Sequence, residues 1–297
     1  MNAPGSGRSN LGSRRLMQRI AFSLVWAAGS LSVLILLIVV GYIVAKGLSS
    51  ITWQFITTPP RGGISGEGGI STTIVATLYL VVLTVGIATP LGVGAGIYLV
   101  EYAEAMARKS RIIRAVVSTA RFGVETLAGV PSIIFGLFGY ALFVSSMHLG
   151  FSLLAAGLAG ACLILPVVIR TTEEALKAVP VSYRNGSLAL GATRWQTTQK
   201  VVLPAAIPGI MTGIVLSVGR IVSETAIFYV TLGGSYRMPT SLLSGGRTMA
   251  LHVYYLAMET RAFDKAMGTA AILVISIIII NAVINLFSRK LSARIGA

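Results

Sequence analysis

Long apolar runs separated by short basic segments organise this chain. A bilayer core of about 30 Å takes ~20 mostly apolar residues in a helix. Six stretches reach that length: residues 20–45, 71–99, 124–145, 150–170, 205–231 and 267–287. The third and fifth are the least clean, because each carries charge or proline. The first run follows Arg14, Arg15 and Arg19, as a signal peptide would. It is longer than the roughly 7–15 apolar residues of such a leader, so it reads as a retained span. The expected architecture is all-α and polytopic, with six transmembrane helices.

Charge orients the spans. The sequence holds 24 Lys and Arg against 9 Asp and Glu. Seventeen of the basic residues fall on one face, in the N-terminal segment, in 101–123, in 170–203 and after the last span. The other face has six: Lys46, Arg61, Arg237, Arg247, Arg261 and Lys265. The positive-inside rule then places both termini in the cytoplasm. Residues 1–19 read as a cytoplasmic tail, disordered where Gly, Ser and Asn dominate, and 291–297 as a second one. Residues 58–69, with Pro59, Pro60 and five glycines, form an external loop, and 232–266 a longer one.

Composition excludes several classes. Only 11% of residues are charged, where about 25% is usual for a soluble domain. The basic excess sits between apolar runs, so it implies a membrane and not nucleic acid. The one cysteine, Cys162, rules out an internal disulfide or a thiolate cluster, and reads as a small buried hydrophobe. His148 and His252 read as loop residues without a ligand set, so no metal or other cofactor is expected on this chain. No span carries paired catalytic Asp, a Ser/His set or HExxH, so the chain is not expected to be an enzyme.

Residues 173–204 form a long amphipathic segment on the cytoplasmic side. A helix can start at Pro180, since proline suits a first turn, and end at Gly191, a left-handed cap. Thr193 and Gln196 have capping-box spacing, so a second helix can begin at once. Ser187, Ala189 and Gly191 are small enough for close approach, and Trp195 supplies an aromatic knob. Two readings are open: a helix docked into a partner's groove, or one lying on lipid headgroups.

The segment resembles the coupling loop of binding-protein-dependent ABC permeases, EAA-x3-G-x9-I-x-LP. Gly191 is followed by nine residues and then by Val201-Val202-Leu203-Pro204, with Leu203-Pro204 as the stop. Asn185-Gly186-Ser187 stands where the family often has Glu-Ala-Ala. That favours packing and capping over charge at the contact with an ATPase. The chain has no Gly-Lys dipeptide and therefore no GxxxxGK[ST] loop. The resemblance implies that ATP and Mg bind a partner subunit.

Charges inside the fifth run point to a pathway or a lock. Arg220 lies about 20 Å along that span at 1.5 Å per residue, where a charge costs at least ~2.5 kcal/mol. Glu224 shares its face at i+4. The pair either ties helices together or offers the arginine fork to an oxyanion while Glu224 holds or releases it. Arg121 and Glu125 repeat the spacing at the entrance to the third span, and Pro131 is expected to kink that helix.

Two of these stretches, Glu125-Thr-Leu-Ala-Gly-Val-Pro-Ser-Ile-Ile-Phe-Gly136 and Arg220-x3-Glu224-Thr-Ala226, resemble phosphate-transport permeases. The outer run Leu242–Glu259 is similar to the PstA-type branch. The resemblance covers roughly residues 71–290. It implies a type I ABC importer permease fold in a bacterial inner membrane and a heterodimeric pore with a PstC-type sister. It also implies two PstB-type ATPase subunits below and, above, a periplasmic PstS-type phosphate-binding protein docked on the outer loop, where Arg237, Arg247, His252, Tyr254 and Tyr255 lie. Another oxyanion, such as sulfate or molybdate, is the alternative cargo, and an ion gradient the alternative drive.

Overall fold

The computed structural model describes residues 9–61, 66–103, 106, 110–260 and 262–295. Arg8, Arg108, Lys109 and Arg261 lie outside them. Among the described residues the regular structure is helical. The elements are α1 (Ser9–Leu48), α2 (Trp53–Thr57), α3 (Ser71–Ile97), α4 (Arg111–Ala128), α5 (Ser132–Gly139) and α6 (Leu153–Ala178). They continue with α7 (Val181–Ala189), α8 (Arg194–Thr197), α9 (Leu203–Val222), α10 (Ala226–Thr231), α11 (Met249–Met258) and α12 (Phe263–Ile295). Widened π turns extend α3 to Ala103 and α5 to Ser146, and join α8 to α9. Among the described residues, five helices are long and apolar enough to cross a membrane, or six if the bent pair α4–α5 counts as one span.

Small residues set the packing of the central helices. A Cβ at Gly92 of α3 would come within 2.7 Å of Val168 on α6, and one at Gly96 within 2.7 Å of Thr172. From α6, Gly157 makes the same close approach to Leu83, and Gly160 meets both Thr84 and Ile221. On α9, Gly209 lies against Ala175 and Gly213 against Thr171. Close backbone approach of this kind replaces the hydrophobic drive that lipid removes. The core between these helices holds Leu80, Ile164, Ile221, Phe228 and Leu251 at full burial.

The first helix behaves differently. It is exposed from Arg14 to Val39. It meets the body only near its end, where a Cβ at Gly47 would come within 2.6 Å of Ala271 on α12. That contact joins the end of α1 to the first part of α12. The expected tail 1–19 is a correction: among the described residues helix already runs from Ser9, because Arg14, Arg15, Leu16, Met17, Gln18 and Arg19 are good helix formers that extend the apolar run backwards. Likewise α12 continues to Ile295 through the expected tail 291–297, whose last two residues lie outside the described set.

Two expected spans are broken. The third is a break and not a kink. Its helix ends at Ala128, and α5 restarts after Pro131, bent by 106° from α4. Pro131 has no N–H and disfavours helical geometry at Val130, so α4 cannot continue. The fifth, expected as one run over 205–231, stops at Val222 and restarts at Ala226. The half-spans α5 and α10 pack side by side, Gly136 against Ile227 and Val230, and Gly139 against Thr231.

Candidate functional site

The corner around Gly191 is built from local chemistry. Helix α7 starts after Pro180, which serves as its N-cap and not its first turn. It ends in a Schellman arrangement: Gly191 N–H donates to the Leu188 carbonyl (3.0 Å) and Ala192 N–H to that of Ser187 (3.3 Å). Gly191 has φ +85°, where a side chain would be strained. The capping box then starts α8: Thr193 N–H donates to Gln196 Oε1 (2.9 Å) and Gln196 N–H to Thr193 Oγ1 (3.3 Å). The hydroxyls of Ser187 and Thr197, 2.9 Å apart, tie the two helices together. Ala189, Leu190 and Trp195 face outward, with Leu190 91% exposed.

Leu203-Pro204 is not a stop. The helix passes through it as one apolar unit from Arg194 to Val222. Proline cannot donate to the turn behind it and its ring crowds the carbonyl four residues back. The π turn at Thr198–Val202 opens that stretch and accommodates the ring.

A charge that the spacing of the motif does not reveal anchors this corner. Arg184 on α7 donates to Glu101 Oε1 from Nη2 (2.8 Å) and Nε (3.1 Å). It also donates to the carbonyls of Leu176 and Val179, each at 2.8 Å. One side chain therefore holds α7, the end of α6 and the π turn after α3. Beside it, Glu173 accepts from Lys177 at 2.9 Å and lies 3.5 Å from Arg121. Arg121 thus reaches across to α6 and to the Leu99 carbonyl (3.3 Å), while Glu125 is exposed on α4. The expected grouping of Arg121 with Glu125 gives way to a tertiary pairing. Nothing local could have signalled Glu101, 83 positions from Arg184.

The fifth-span pair is present at the break. Arg220 Nε lies 3.5 Å from Glu224 Oε2, with the arginine half-exposed and the glutamate buried. Glu224 Oε1 accepts from the N–H groups of Thr225 (3.2 Å) and Ala226 (3.1 Å). The carboxylate is therefore fixed by the start of α10, whichever way the arginine turns. Arg220 is the more open partner: its side chain is half-exposed, with one salt bridge among the described residues.

The outer loop is more structured than expected. It contains α11, whose N-cap Thr248 accepts from Leu251 N–H. Met249 N–H donates to Thr77 Oγ1 (2.9 Å), which seats α11 on α3. His252 is buried on this helix and is not a loop residue. Burial, and secondarily the Arg247 charge, push it down to about 3. Tyr229, Tyr254 and Tyr255 form an aromatic cluster with centroids 5.8 to 6.1 Å apart. Arg237 is exposed.

Comparison with known proteins agrees with this architecture. The family model for the binding-protein-dependent transport system inner membrane component matches residues 88–297. The chain is 33% identical to the phosphate transport system permease protein PstA of Yersinia pestis, over 97% of this chain and 94% of that one. It is 32% identical to the probable ABC transporter permease protein YqgI of Bacillus subtilis, over 91% and 94%. Among solved structures, a chain of a bacterial alginate ABC transporter in complex with its periplasmic protein superposes with a TM-score of 0.65 at 16% identity, over 94% of this chain and 98% of that one. A chain of the inward-facing MetNI methionine ABC transporter gives 0.56 at 18% identity, over 75% and 94%. Matched over more than half its length and sharing the importer permease fold, the chain belongs to the family of binding-protein-dependent transport system inner membrane components.

Proposed function

We propose that this chain is the PstA-type permease subunit of an ATP-driven phosphate importer in a bacterial inner membrane. The observation that carries the cargo is the similarity, along nine-tenths or more of the chain, to relatives named as phosphate permeases. The Arg220–Glu224 pair supports it chemically. Glu224 is held by the backbone of α10, so Arg220 can exchange it for an oxyanion and return. The carboxylate then resets the site after each passage.

The drive comes from below. A PstB-type ATPase pair binds ATP and Mg and closes around Leu190, Trp195 and the Gly191 corner. The continuous helix from Arg194 to Val222 carries that movement to Arg220. A PstC-type sister permease completes the pore, membrane lipid covers the apolar outer faces, and a PstS-type protein delivers phosphate from the periplasm.

The test is phosphate uptake in cells without other phosphate carriers. Arg220→Gln, in complexes that assemble normally, is expected to abolish uptake. Wild-type uptake would remove Arg220 from the pathway. Sulfate or molybdate uptake in place of phosphate would reassign the cargo, and uptake with an inactive ATPase would reassign the drive.

A further inference from the structure

Three outer segments meet over a cavity of about 290 Å³, with Arg61, Tyr236, Arg247, His252, Tyr255 and Glu259 in its wall. The 58–69 loop reaches it through Gly66, whose carbonyl accepts from Lys265 Nζ (3.0 Å). The segment after α10 reaches it through Tyr236, whose carbonyl accepts from Thr72 (3.0 Å). Helix α11 forms the floor.

Arg247, two positions before α11, lines the cavity beside it. Its Nε and Nη2 donate to the Gly234 carbonyl, at 3.0 and 2.6 Å. Its Nη1 lies 3.4 Å from His252 Nδ1, and the Tyr255 ring covers one face at 4.0 Å. A guanidinium only donates, so His252 accepts at Nδ1 and carries its proton on Nε2. Of the five N–H groups of Arg247 these contacts use three. One N–H on each terminal nitrogen remains. Arg121, Arg170, Arg184 and Arg220 all have a carboxylate at ion-pair distance. Arg247, half-buried, has none among the described residues. Glu259 acts on it only from beyond ion-pair distance, so an anion in the cavity would supply the direct contact that a partly desolvated cation lacks.

We propose that this cavity is an oxyanion-binding site on the outer face, built on Arg247 and separate from Arg220. It takes one oxyanion group: inorganic phosphate arriving free, or a carboxylate side chain of the docked binding protein. The choice of phosphate rests on the proposed cargo; the site itself does not. Two free N–H groups match two oxygens of such a group. Exposed Glu67 and Glu259 on the rim oppose the charge of Arg61 and Arg247. They keep the hold weak, as a station that must release its ligand requires.

Phenylglyoxal modification of the assembled transporter, with each arginine followed by peptide mass spectrometry, tests this. Inorganic phosphate is expected to slow modification of Arg247 but not of exposed Arg237, relative to chloride at equal ionic strength. Glu259→Gln should lower the half-protecting phosphate concentration about threefold, as loss of a nearby like charge does. Selective protection by the binding protein and not by phosphate supports the carboxylate source. Equal protection of Arg237 and Arg247, or none by either probe, overturns the proposal. Sulfate that protects Arg247 and is also the imported anion would keep this site while refuting phosphate as the cargo.

Discussion

The two ends of this molecule carry polar chemistry in opposite ways. At the end expected to be cytoplasmic, the α7–α8 corner is shaped by neighbours in sequence: Pro180, the Gly191 cap and the Thr193–Gln196 box. Helix α7 buries none of its residues. At the outer end, the bonds that shape the cap span most of the chain, from Thr72 to Tyr236, Thr77 to Met249 and Gly66 to Lys265. The corner is formed by its own sequence and presents its side chains outward. The cap exists only when the whole bundle has folded, and it encloses space. On the proposed function the corner is pushed by another protein, which local rigidity favours, and the cap receives a ligand, which needs walls from several directions.

Breaking the Arg184–Glu101 tie of the corner gives the largest effect. Arg184→Ala leaves Glu101 mostly buried without its cation, at a cost of about 3 kcal/mol. Thermal unfolding of the purified complex should show it, and Glu101→Gln in the same chain should recover part of the loss. If Arg184→Ala is silent, the corner is as self-sufficient as its caps suggest. Gly191→Val comes next. The left-handed backbone there costs a side chain about 1–2 kcal/mol, concentrated in the corner. The expected outcome is normal assembly with weakened ATPase stimulation by loaded binding protein, measured as phosphate release. The smallest effect lies at the outer end. His252 titrates at about 6.5 when unfolded and about 3 when folded, so the unfolded chain binds the extra proton in between. Stability contributed by the neutral imidazole is present above pH 6.5 and falls as pH drops toward 3. From pH 7.5 to 6 the loss is under about 1 kcal/mol. Melting curves of wild type and His252→Gln should therefore converge with acid, and parallel curves would show that His252 is not shielded.

What could be read before the fold was known follows the same division. The Gly191 cap and the capping box were legible because each is a contact between residues a few positions apart. The six apolar runs were legible because a bilayer imposes length. The break at Pro131 was visible as a proline but not as a 106° turn, since the angle depends on what α5 packs against. The break after Val222 had no proline to announce it; Glu224 supplies the new helix start by accepting two backbone N–H groups. Arg184 with Glu101 and Arg121 with Glu173 are partners across elements, so spacing favoured the wrong neighbour for Arg121. His252 looked like a loop residue because nothing in its neighbourhood shows that α3 and α12 close over α11.

The widened turn at Thr198–Val202 has a geometric consequence for the whole device. It lies on one continuous rod that carries Trp195 at one end and Arg220 at the other, about 38 Å apart at 1.5 Å per residue. Each residue of an α-helix advances the azimuth by about 100°. The extra residue held in that turn therefore sets the compass bearing of Arg220 relative to Trp195. Deleting one residue there would leave both side chains and both surfaces intact, yet aim the arginine in a different direction.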